Sequence, residues 1–244
     1  MRPASQSEEE FFGQPSEAMP ESPHHGYRGE PAPSPGYAGT PAALTIAISR
    51  EAGARGSTIG TLAAQKLGWQ IYNQELLEYI AQEGAFRQEI LDNLSPAGSA
   101  WVEARLDELL RLQDLSRHPS VLELARMVLC LGVQGEVLLL GRGAGYILPA
   151  RTTLHVRLVA PLPDRIAYMS QWLRLTDEQA AEQVRQRDTR RAEFIATHFH
   201  RQPNDLYQYD ALLNTSLLGE ELCAELIVQA ARAKQAALGL SAER

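Results

Sequence analysis

The chain has 244 residues, 44% of them hydrophobic, and a formal net charge of −7. That length suits one large domain or two small ones with a sizeable core. No run of about 18 apolar residues offers a transmembrane helix, and a mildly acidic body argues against a nucleic-acid binder, whose affinity comes from concentrated positive charge.

Residues 1–42 hold six acids, two arginines, eight of the 14 prolines and five glycines. They carry −4 of the charge and too little aliphatic surface to offset the entropy of ordering, so a disordered tail is expected there. It lacks the apolar core of a secretion signal. His24-His25 within it reads as solvated. From Leu44 the pattern changes. LTIAIS (44–49) is a short β-branched run typical of a strand buried on both faces. A helix follows over 57–67, stopped by Gly68, then a short strand, WQIYN (69–73), whose Asn73 can cap a helix over 74–84.

Residues 83–133 read as helical, with breaks at Ser95-Pro96, His118-Pro119 and Gly132. EVLLLG (136–141), TLHVRLVA (153–160) and DALLNT (210–215) are further strands. PLPDRIAYMSQWL (161–173) is helical, Thr176 caps a long helix to Phe199, and a last helix covers 219–238. Cys130 and Cys223 lie far apart in apolar helical contexts. They read as reduced core residues of a cytoplasmic protein, not as a disulfide or metal site. Buried strands alternating with helices predict an α/β domain over about 43–240, with a parallel sheet covered on both faces. In such sheets ligands sit at the carboxyl ends of the strands. The polar residues expected there are Ser49 to Thr58, Gly141 to Gly145, Pro161 to Asp164 and Asn214 to Ser216.

The first of these segments has the layout of a phosphate-binding loop, strand, glycine-punctuated turn and helix. Gly53 and Gly56 can adopt the positive φ angles that turn successive N–H groups into one concavity, where the helix dipole favours an anion. Ser57 or Thr58 can offer a hydroxyl to Mg2+. The usual pattern G-x-x-x-x-G-K-[ST] has a lysine that neutralises the outer phosphates. Here the lysine position holds Gly56, the glycine before it is Arg55, and the first glycine is replaced by Ser49 or Arg50. Of 23 cationic residues only Lys66 and Lys234 are lysines, so cationic chemistry falls to arginine. Arg142 sits in GRGAG after the third strand. Arg187, Arg190 and Arg191 share one face of the long helix at i, i+3 and i+4, interleaved with Glu182, Asp188 and Glu193 as a solvated face would be.

AISREAGARGSTIG…LAAQKLGWQIYNQELLEYIA, LGRGAGYILP…LHVRLVAPLPDRI and RDTRRAEFIATHF…YDALLNT together resemble the cytidylate kinase-like family, related to the P-loop nucleoside monophosphate kinases. The resemblance covers about 44–235. It implies a three-layer fold, a five-stranded parallel sheet with helices on both faces and an arginine-bearing lid at about 174–202. It also implies Mg2+ and ATP held on Arg50, Gly53, Ala54, Arg55, Gly56, Ser57 and Thr58, with Ser57 as the metal contact. Arg142 matches an arginine that holds the monophosphate acceptor in cytidylate kinases, in a G-R-D segment whose aspartate position is Gly143 here. Arg187, Asp188 and Arg191 match an R-D-x-x-R lid motif, with Arg190 a close competitor, and Asn214 to Ser216 match a segment near the adenine.

On this reading Arg55, Arg187 and Arg191 neutralise the transferring phosphoryl, while Arg142, Asp188 and Arg190 hold the acceptor. Phosphoryl transfer rests on positioning and charge neutralisation, so arginines can stand in for the lysine. Two functions are expected: an ATP-dependent kinase acting on a nucleoside monophosphate (CMP-like) or a similar phosphate acceptor, or a nucleotide-binding protein of the same fold without turnover. His198 and His200, two apart, read as a helix end. Trp69 and Tyr72 read as packing residues, with a stacked nucleobase as the alternative.

Overall fold

The computed structural model describes residues 41, 43–83, 88 and 90–239; the expected tail at 1–42 and His24-His25 fall outside them, apart from Pro41. In chain order the elements are β1 (Thr45–Arg50), α1 (Gly56–Leu67), β2 (Gln70–Tyr72), α2 (Gln74–Gln82), α3 (Pro96–Arg111), α4 (Pro119–Gln134), β3 (Val137–Leu140), α5 (Ala144–Ile147), β4 (Thr153–Val159), α6 (Leu162–Leu173), α7 (Asp177–Phe199), β5 (Ala211–Asn214) and α8 (Thr215–Ala237). The strands form one sheet in the order β2-β3-β1-β4-β5, every neighbouring pair parallel. The fold is α/β, as the alternation of apolar runs and helices predicts.

The strand period divides the core into two layers. Ala47, Val137 and Leu139 face a cluster built from α2, α3, α4 and the end of α7, around Leu77, Trp101, Met127 and Phe199. Their neighbours Ile46, Ile48, Leu138 and Leu140 face α1 and α8, with Ile59, Ala63, Ile227 and Val228. Trp69 and Tyr72 pack against these two clusters, one on each. Cys130 and Cys223 are both buried free thiols.

Local signals place the helix ends. Asn73 accepts from the Leu76 N–H, Ser95 from Gly98, and Thr176 forms a reciprocal capping box with Gln179. One expected break is absent. α4 runs through Gly132, because a Cβ there would stand 2.3 Å from the Leu148 side chain. That glycine serves close packing, not termination. α8 begins earlier than expected, with one turn from Thr215 joined to the rest across a kink at Gly219. Among the described residues no helix is long and apolar enough to cross a membrane.

β4 carries a buried histidine that ties the sheet to its last connection. His155 bonds the Gln208 carbonyl through Nδ1 at 3.0 Å, and Ser49 Oγ lies 3.2 Å from Nε2. Tyr146 meets its ring edge-on and Tyr209 lies tilted against it. Burial lowers its pKa from 6.5 to about 4, although the Gln208 carbonyl and Asp210 favour the charged ring. Above pH 6.5 the ring is neutral folded or unfolded and contributes no pH dependence. Below it the unfolded chain takes a proton that the folded one refuses, so stability falls as pH drops toward 4. Denaturant midpoints at pH 7 and pH 4.5 should show an acid-side loss about 2–3 kcal/mol smaller in His155→Gln than in the wild type. Parallel losses in both proteins would remove His155 as the cause.

Candidate functional site

The site lies at the carboxyl ends of β1, β3 and β4. β1 ends at Arg50, the chain crosses residues 51–55, and α1 opens at Gly56 behind Arg55 as its N-cap residue, with φ 55°. Gly53 has φ 81°. Helix geometry leaves the N–H groups of Gly56, Ser57 and Thr58 without a carbonyl of their own helix, since the first such bond runs from Ile59 to Arg55. Ala54 N–H turns back to the Glu51 carbonyl at 3.3 Å. Ser57 is exposed and Thr58 half-buried in the same turn. The positive φ expected at Gly53 is present, but the one expected at Gly56 falls instead on Arg55, and Gly56 is the first residue of α1.

The loop is clamped by residues from two other elements. Arg165, buried in the first turns of α6, donates to the Ala160 carbonyl at 3.0 Å and the Ala52 carbonyl at 3.2 Å, and lies 3.4 Å from the Glu51 carboxylate. It also donates to Asp188 of α7 at 2.5 Å, and Asp188 accepts the Ala52 N–H at 2.7 Å. Asp188 therefore ties the long helix to the loop. Ala52 adds an apolar contact in a small cluster with Met169, Ala180 and Val184. Sequence reasoning gave no role to Glu51, inside the expected Ser49 to Thr58 segment, and missed Arg165. The polar positions expected after β4 stop at Asp164, one residue short, and no hydropathy pattern marks an arginine for burial.

Beside the loop three arginines stand together. The Arg50 stem lies over Gly56, where an added Cβ would come 3.0 Å from Cγ, and its guanidinium lies against Gly141, 2.2 Å from where a Cβ would be. Among the described residues no carboxylate pairs directly with Arg50. Its pKa is lowered to about 9, first by burial and then by the charges of Arg191 and Arg142, with Glu75 opposing. Arg191 donates to the Arg50 carbonyl at 3.4 Å and lies 3.9 Å from the Asp188 carboxylate; its pKa is lowered first by burial and then by Arg187, Arg157 and Arg142, with Asp188 opposing. Arg142, with φ 53°, pairs with Glu78 and lies over the Phe194 ring at 5.0 Å. Burial lowers its pKa too, and its Nε is buried without a hydrogen-bond partner. All three side chains are only partly buried, and Glu78 and Asp188 already offset the charge of Arg142 and Arg191, so Arg50 is the one of the three that no carboxylate pairs directly among the described residues.

Two other expected residues face elsewhere. Arg190 is exposed and donates to the Gln186 carbonyl at 3.3 Å. Arg55 lies over the Tyr168 ring at 5.2 Å and 3.8 Å from Glu220. His198 bonds Ser116 at 2.9 Å and His200 is the left-handed C-cap of α7.

The profile of the cytidylate kinase-like family matches residues 45–217. The chain belongs to the cytidylate kinase-like family. The match spans β1 to the first turn of α8, and so takes in the loop, Arg142 and the arginines of α7. Among solved structures, an uncharacterized protein from Eubacterium ventriosum superposes with a TM-score of 0.59 at 15% identity, over 78% of this chain and 98% of that one. This likeness shows a shared fold. A shikimate kinase from Bacteroides thetaiotaomicron matches at 17% identity with a TM-score of 0.41, over 80% of this chain and 98% of that one. TT1252 from Thermus thermophilus matches at 18% identity with a TM-score of 0.42, over 78% and 97%. No curated protein matches the sequence at a significant level. The chain thus combines a five-stranded parallel sheet with a lysine-free loop and a cluster of partly buried arginines at the carboxyl ends of its central strands.

Proposed function

We propose that this protein is an ATP-dependent kinase that transfers the γ-phosphoryl group to a nucleoside monophosphate, CMP-like, or to a similar small phosphate acceptor. The observation that carries the reading is the cluster of Arg50, Arg142 and Arg191, three partly buried guanidinium groups brought together beside a positive-φ loop. Guanidinium groups grip phosphate oxygens in pairs and stay charged, so the buried Arg50 can supply what a loop lysine supplies elsewhere. The N–H groups of Gly56, Ser57 and Thr58 at the start of α1 cradle the triphosphate, with Gly53 and Ala54 shaping the turn. Arg191 and Arg187 from α7 meet the transferring group, and Arg55 joins them once it leaves Glu220, a partly exposed partner 3.8 Å away and hence a weak one. Arg142, with its unpartnered Nε, holds the acceptor phosphate, with Asp188 and Arg190 on the same helix as Arg191.

The exposed Ser57 hydroxyl, with Thr58 beside it, is a hard oxygen donor at the loop, which suits Mg2+. The ion would neutralise charge on the phosphate chain. An acceptor that is already an anionic oxygen needs no general base. The residues have only to align it and screen its charge from the triphosphate.

A second reading, nucleotide binding without turnover, draws on the Asp188 tie. It holds α7 against the loop through the Ala52 N–H and Arg165, so that binding could be sensed as a change at this contact. Incubation with Mg-ATP and a panel of nucleoside monophosphates, following ADP release, separates the two. The kinase reading expects release above background with at least one acceptor. ATP binding with background release throughout leaves the binding protein.

A further inference from the structure

α6 carries two aromatic side chains that the arginine pocket does not use. Tyr168 and Trp172 stand one turn apart with rings stacked at 6.1 Å and 15°. Trp172 is 70% exposed, and Leu217, in the first turn after β5, is 82% exposed. An exposed indole held flat against a phenol at the edge of a ligand site marks a surface that a planar partner can cover. The planar group now over Tyr168 is the Arg55 guanidinium, at 5.2 Å. Arg55 is the last residue of the loop, the N-cap of α1. Its second tether, Glu220, is 3.8 Å away, and the Arg55 side chain is 38% exposed.

We propose that the base of the bound nucleotide stacks on Tyr168 in place of the Arg55 guanidinium, and that Arg55, so displaced, turns to the phosphates. This rests on the reading of residues 53–58 as a phosphate site. Both groups are flat and both stack on aromatic faces. Each is joined to the loop by a short linker, Arg55 through its own side chain and a base through the ribose of a nucleotide whose phosphates lie on that loop. The exchange makes delivery of Arg55 to the phosphates conditional on base recognition. Trp172, stacked with Tyr168, extends the aromatic surface. Purines, with the larger ring surface, gain more from it than pyrimidines.

The test compares ATP with inorganic tripolyphosphate, which has the phosphates and no base, by calorimetric titration of the full chain. ATP should bind at least about tenfold more tightly in the wild type, a difference of ~1.4 kcal/mol. Tyr168→Leu should remove that gap by weakening ATP alone, and Trp172→Ala should narrow it. Tryptophan emission should respond to ATP and not to tripolyphosphate, and the response should vanish in Trp172→Phe. Trp172 is exposed enough for its variants to fold if Tyr168→Leu does not. Equal wild-type affinities for the two ligands, or variants that weaken both equally, would overturn the platform and leave the phosphate site standing. Failure of both ligands to bind the wild type would overturn the phosphate site and the platform with it.

Discussion

Arg50→Met should lower affinity for ATP and for tripolyphosphate by roughly 10- to 150-fold, the loss of one charge-assisted hydrogen bond worth ~1.5–3 kcal/mol. Methionine keeps the apolar stem that lies over Gly56 and removes only the cation. The folded protein holds that cation at a cost, since burial and the charges of Arg191 and Arg142 lower its pKa to about 9. Melting temperature is therefore expected to stay level or rise while binding falls. This opposition separates a ligand-binding cation from a structural one. A structural Arg50 would show the reverse, a lower melting temperature with affinity preserved, and that outcome would end its assignment as the substitute for the loop lysine. Titration calorimetry and a thermal melt on the same two proteins suffice.

Gly53→Ala should be more damaging to the fold and equally damaging to binding. Two effects act at once. The φ of 81° strains any residue with a Cβ, and the added carbon would stand 2.5 Å from the Arg165 carbonyl oxygen and 2.9 Å from its Cα. Backbone cannot rotate away as a side chain can. Either the loop lifts off α6, breaking the Arg165 bonds to the Ala52 carbonyl and to Asp188, or α6 shifts. Strain and overpacking together imply a loss of about 2–4 kcal/mol, a fall in melting temperature of roughly 5–15 °C for a chain of this size. Tripolyphosphate binding should drop with it, because the N–H groups no longer converge. A melting temperature within a degree of the wild type would refute the close packing of the loop on α6.

Much of the architecture was legible in the sequence because it follows from local periodicity. LTIAIS and EVLLLG are short, largely apolar runs of the kind that a strand buried on both faces requires. Asn73, Ser95 and Thr176 name their helix starts because capping is a contact within three residues. The failure at Gly132 has the same logic in reverse. A glycine in a helical run reads locally as a break, and the Leu148 side chain that demands it comes from another element.

The site divides along the same line. Its loop, its arginine-rich composition and the presence of Arg142, Arg187, Asp188 and Arg191 near the strand ends could be read from spacing and resemblance. Which arginine stands next to which could not. Arg50 and Arg55 flank the same loop and look interchangeable in sequence, yet one is buried against Gly141 beside Arg142 and Arg191, and the other stacks on Tyr168. Asp188 reads as one charge on a solvated face, but it accepts the Ala52 N–H and the Arg165 guanidinium. The sequence by itself determined the elements, their α/β order and the lysine-free loop, since these depend on residues within a few positions of one another. Only the tertiary structure decided which charges come together. The like-charge proximity of Arg50, Arg142 and Arg191 arises between residues 49 to 141 positions apart, and no local pattern records it.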